Sequence, residues 1–136
     1  MFDADPPSLA DFEAMAAQAL ATIPDRLRVH LRDVVVRVED FPSEDTCRDM
    51  DLDSPFDLLG LYDGVALDHK SIGDSGGVDM IFLYRRPLLD YWCDHGGGLS
   101  HLVRHVVIHE VGHHFGFSDA DMEALEREAP EQEARD

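Results

Sequence analysis

Two kinds of hydrophobic pattern alternate along the chain. Behind Ser8, whose hydroxyl can take up a free backbone N–H, the apolar residues Leu9, Phe12, Met15, Ala16, Ala19, Leu20 and Ile23 recur at helical spacing. They predict an amphipathic helix over 9–22, stopped by Pro24. A short turn or helix around Arg26 to Leu31 leads into VVVRV at 34–38, a β-branched run that predicts a buried strand. LLGLYDGVAL (58–67) and VDMIFLY (78–84) are the remaining strand candidates, separated by the turn-rich HKSIGDSGG. Pro87 opens a helix through Trp92, and Gly96 to Gly98 break it. A long helix then runs from near Ser100 to near Phe115. Its Leu102, Val103, Val106, Val107, Ile108 and Val111 are apolar on nearly every side, which predicts burial between a sheet and a C-terminal segment. Gly116 suits a left-handed end to that helix. A last helix spans Asp119 to about Glu128 before the polar tail APEQEARD, expected to fray over 129–136. Helix, strand, loop, two strands and two helices make a small α+β domain.

Between the first two strands lies EDFPSEDTCRDMDLDSPFD (39–57), with eight acids and two prolines, which reads as an exposed acidic loop. The chain has 136 residues, enough for one core and too few for two ordinary domains. Its net charge is −18, from 29 acidic and 11 basic residues. Such a surface repels phosphate backbones and attracts cationic peptides, so nucleic acid is not an expected partner and a basic peptide or protein is. No apolar run reaches the roughly 18–20 residues of a membrane span. The acidic N-terminus lacks the basic and apolar regions of a secretory signal, so a cytoplasmic address is expected. Cys47 and Cys93 form no CxxC and are expected as reduced thiols.

Two stretches imitate known sites. GDSGGV at 73–78 looks like the nucleophile signature GDSGGP of trypsin-like proteases, but Val78 replaces the proline and the chain is too short for that family's two barrels. Its Gly, Asp and Ser read as a turn. DMDLD at 49–53 imitates the start of a calcium loop, yet Ser54 stands where that loop needs glycine and Gly60 where it needs a bidentate glutamate.

The chemistry gathers in HLVRHVVIHEVGHHFGFSD (101–119). Histidines at 101, 105, 109 and 113 could pair in several ways at helical spacing, and one of them, His109, is followed by an acid, Glu110. His109 and His113 lie about 40° apart around a helix and about 6 Å along it, so both rings can close on one zinc ion. Glu110, about 100° around from His109, flanks the pair without occupying a ligand position. His101 and His105 have no neighbouring acid and read as partly buried polar or supporting groups. A three-ligand zinc site needs one more donor. Gly116 can reverse the chain past the helix end and return Asp119 toward the metal; Glu123, Glu126 and Glu133 are the other candidates.

HExxHxxGxxD, here His109, Glu110, His113, Gly116 and Asp119, is similar to the extended motif of metzincin metallopeptidases in the variant with aspartate as third ligand. With LLGLYDGVAL, IFLYRRPLL and RHVVIHEVGHHFGFSDADM, most of the chain resembles the small bacterial proteins of the minimal metzincin-like zinc-peptidase family. The resemblance implies a single zincin-like domain over 1–136, His109, His113 and Asp119 on Zn2+, and peptide hydrolysis by a zinc-bound water with Glu110 as general base. Substrate is expected to add as a strand along 58–67 or 78–84. Some features depart from the family. Met122 is the only methionine beyond the ligands, no tyrosine follows Tyr91, and the chain is short. The competing reading is therefore a zinc-binding accessory or regulatory protein without efficient peptidase activity.

Overall fold

The computed structural model describes residues 5–64 and 79–128. Six helices surround a small mixed sheet: α1 (Leu9–Ala21), α2 (Asp25–Arg28), β1 (Val35–Glu39), α3 (Glu44–Asp49), β2 (Gly60–Asp63), β3 (Met80–Tyr84), α4 (Arg85–His95), α5 (Leu99–Phe115) and α6 (Asp119–Glu128). The GDSGGV stretch with Val78, the last three residues of 58–67, Glu133 and the tail lie outside the described residues.

Ser8 starts α1 as the sequence suggests. Its hydroxyl accepts from Asp11 N–H while the Asp11 carboxylate accepts from Ser8 N–H, so each orphan donor at the helix end has a partner. Phe12, Ala16 and Ala19 form the buried stripe of this helix. The sheet order is β1-β3-β2, with β1 parallel and β2 antiparallel to the central β3. Ile81 and Leu83 of β3 point into the helical layer and are fully buried, the alternation a strand imposes. They meet Phe12, Ala16, Val103 and Val107 in one core.

Two expectations change here. β1 is an edge strand and not a buried one: among the described residues it pairs only with β3, and Val35 is 46 % exposed. A β-branched run reports strand propensity, whereas the number of neighbours decides burial. The acidic segment 39–57 is also more ordered than a loop. Ser43 caps α3 by accepting from Thr46 N–H, acids Glu44 and Asp45 occupy its first turn, and Pro55–Asp57 form a 3-10 turn capped by Ser54. Cys47 and Cys93 are both free thiols.

α5 is the spine of the molecule. It packs on α1, on β2 and β3, and on α6. Val103, Val107, Ile108 and Val111 are fully buried along it, which is the all-round apolar character seen in its sequence. Gly116 ends it at φ 73°, a left-handed conformation that a Cβ would strain, and Phe117 N–H donates back to Gly112 O at 2.8 Å. The chain reverses there. α6 begins behind a second reciprocal cap, Ser118 with Asp121, and runs back along α5 with Met122 and Leu125 buried. Met122 lies directly over Gly112, where a Cβ would come within 2.2 Å of its sulfur.

Candidate metal centre

The two flanks of α5 hold its polar residues differently. Toward β2, Glu110 is buried, with its side chain 11 % exposed. Burial pushes its pKa above the ordinary carboxylate value, and the positive charge of His113 and a hydrogen bond from the Tyr62 backbone pull it partly back. The strand register explains that bond. Tyr84 N–H donates to Leu59 O, and in the β2–β3 register this makes Leu61 and Asp63 face β3 with their main-chain groups while Gly60 and Tyr62 face away. The Tyr62 N–H, freed from the sheet, is met by the Glu110 carboxylate.

The Tyr62 side chain anchors the same region. Its hydroxyl lies 3.0 Å from His114 Nδ1 and is hydrogen-bonded to Asp79; burial first, then that neighbouring charge, push it up to about 12. His114, only 2 % exposed, places Nε2 3.3 Å from the His30 carbonyl, to which it donates. His114 thus ties α5 to β2 and to the turn after α2. The doublet His113–His114 in the sequence divides its work, one ring facing solvent and its neighbour serving the core.

On the other flank, facing α6, His105, His109 and His113 rise along α5. His113 is exposed, and its Nδ1 lies 3.4 Å from Glu110 Oε1. His109 is half-buried. Burial is the main cause that lowers its pKa, helped by the charges of His105 and His113 and opposed by Glu126 and Asp119. The shift favours the neutral imidazole, the form that binds a metal. Asp119 sits exposed at the start of α6, close enough for its charge to bear on His109.

The donors that gather most closely were not all expected. Among the described residues, His105, His109 and Glu126 form the group whose ligand atoms lie within 4.8 Å of one another; His113 and Asp119 are outside this group, though the charges of both bear on His109. His101 and His105 are exposed where partial burial was expected. The i,i+4 spacing of His105 and His109 was the signal for this pair, and its acid comes from α6, not from the next residue in sequence. The calcium-like stretch 49–53 contributes to no such group among the described residues. Two imidazoles and a carboxylate, in either combination, are a donor set that suits zinc with one position left open, and the shift of His109 toward its neutral form agrees with the fit.

A family model described as zincin-like metallopeptidase matches residues 31–129. The chain belongs to that family. No curated protein matches it. Membership makes it a zinc metallopeptidase in general terms and accounts for a helix that carries imidazoles and a buried glutamate on otherwise apolar ground. The matched span starts after α1, although α1 supplies Phe12 and Ala16 to the core. No described helix is long and apolar enough to cross a membrane.

Proposed function

We propose that the protein hydrolyses peptide bonds, with His109, His113 and Asp119 holding zinc and Glu110 acting as general base. The observation that carries this reading is the placement of Glu110. Its carboxylate is sheltered, raised in pKa, oriented by the Tyr62 N–H and directed at His113. A raised pKa brings a carboxylate toward the range where it can both take and return a proton near neutrality. A bound zinc would supply Lewis acidity toward the scissile carbonyl and make a coordinated water more acidic. Glu110 then accepts a proton from the attacking water and passes it to the leaving amine. His109, shifted toward its neutral form, remains a donor, and the negative charge of Asp119 offsets part of the metal's charge.

β2 is the strand on which a peptide would dock. β3 is paired on both sides and has no free edge, which removes 78–84 from consideration. Among the described residues β2 pairs on one side, with β3, and it lies against α5 at Gly60, where a Cβ would come within 2.7 Å of Val106. The acidic surface favours peptides with basic residues. Metal analysis of the purified chain, followed by digestion of a random peptide library with and without a chelator, tests the proposal. Bound zinc with chelator-sensitive cleavage is expected. Bound zinc with no cleavage of any peptide would leave a zinc-binding protein and sink the peptidase reading.

A further inference from the structure

Three histidines climb one flank of α5 at four-residue intervals, and α6, running back beside them, brings an acid toward each end of the ladder. Asp119 belongs to the end that carries the motif. At the other end, His105 Nδ1 lies 2.5 Å from Glu126 Oε1, and the His105 and His109 rings are 4.5 Å apart at 49°. One donor from each of these three residues lies within 4.8 Å of the others. Zinc in tetrahedral coordination sets its donors roughly 3.3 Å apart at bond lengths of about 2.0–2.1 Å, so small side-chain rotations close the set on an ion. Glu126 Oε1 is shielded from solvent and has no partner in hydrogen-bond geometry, despite the nearness of His105. That oxygen and the His105 nitrogen face each other, and an ion between them would take the place of their direct contact. The main chain beneath it is fixed, because Arg104 Nη2 donates to Glu126 O at 2.8 Å.

We propose that His105, His109 and Glu126 form a second site for zinc or a similar divalent transition cation, and that it competes with the motif for His109. The inference rests on the proposed motif site only in sharing that residue. A chain then holds one ion in either of two places. An ion between His105 and Glu126 lies toward the N-terminal end of α5, about a helical turn from the side where Glu110 meets His113. Loaded in this way, the protein keeps its metal but separates it from the general base, so the second site stores zinc in an inactive position.

Zinc titration of the full chain carrying His113→Ala and Asp119→Ala reads this directly. About one equivalent should remain bound, and adding His105→Ala with Glu126→Gln should remove it. A double variant that has the wild-type circular dichroism spectrum and binds no zinc overturns the proposal, while the motif reading stands as long as the unaltered chain binds one equivalent. If the double variant does not fold, the unaltered chain labelled at its histidine ring nitrogens decides. Zinc must shift the His105 resonances along with those of His109, and shifts confined to His109 and His113 overturn the proposal. It also fails if Glu126→Gln alone empties the otherwise intact chain, because Glu126 would then be the motif's own third ligand. Zinc retained at full affinity by His109→Ala would remove both sites at once.

Discussion

The flank of α5 that faces β2 and the flank that faces α6 carry similar residue types under opposite conditions. Glu110 and His114 are enclosed, and each is held by partners from distant segments: the Tyr62 main chain for one, the Tyr62 hydroxyl and the His30 carbonyl for the other. His105 and His113 are exposed; the acid against His105 is Glu126 of α6, joined to α5 by the short reversal at Gly116, and the one against His113 is Glu110 of α5 itself. The fold itself fixes Glu110, the proposed proton-transfer group. The proposed ligand flank is left for an ion to finish, since donors in solvent lose conformational freedom only when something holds them.

The strongest way to break this contrast is Glu110→Gln. With the base removed and the ligands untouched, zinc content should stay at the wild-type value while peptide hydrolysis drops about 10²–10⁴-fold; loss of zinc along with activity would show that the two flanks are not separable. The same variant sharpens the stability side. Because the folded-state pKa of Glu110 is raised, its contribution is fully present below the ordinary carboxylate value and is lost as pH rises through the raised one. Thermal melts of the metal-free proteins should therefore show wild type losing stability relative to the glutamine variant over that interval, with the variant melting higher at neutral pH.

Gly112→Ala attacks the other flank. The new Cβ meets Met122 Sδ at 2.2 Å and Cγ at 2.5 Å, so α6 must shift or Met122 repack, at a cost of about 1–3 kcal/mol in denaturant unfolding. Zinc affinity should fall with it, because Asp119 and Glu126 ride on α6. Ser118→Ala removes one half of the reciprocal cap on α6 and should cost about 1 kcal/mol, read in the same unfolding experiment. The smallest effect is expected at His101, exposed on the first turn of α5. Its alanine variant should change stability by less than about 0.5 kcal/mol and leave zinc binding as it was.

What could be read in advance follows the range of the interactions involved. α1, α5 and α6 were legible because their stripes and caps are local: Ser8 with Asp11, Gly116 at a helix end, valines on every side of one segment. That His109, Glu110 and His113 share one helix was legible for the same reason, since one helix turn fixes their relation. β1 was misjudged because its exposure depends on strand order, which the residues of β1 do not encode. α3 escaped notice although Ser43, Glu44 and Asp45 form a good helix start, because the density of charge around them reads as solvated loop. Tyr62 could not be brought to Glu110 from its own neighbourhood, and Glu126 stood among three candidate glutamates with nothing local to single it out. Each reaches α5 only through the path of the chain between.

The outward set of main-chain groups on β2 is short, and one of its N–H groups is already engaged. A peptide docked on β2 as proposed would form its ladder with the Gly60 groups and the Tyr62 carbonyl, while the Tyr62 N–H stays with Glu110. Sliding the peptide by two residues would exchange the good partners for an occupied one. On that proposal the reading frame would be set by the same strand that steadies the carboxylate, and substrates bound out of frame would disturb the proposed base. Affinity and turnover would then be coupled at Tyr62, so that a peptide chosen for tight binding alone need not be one that is cut.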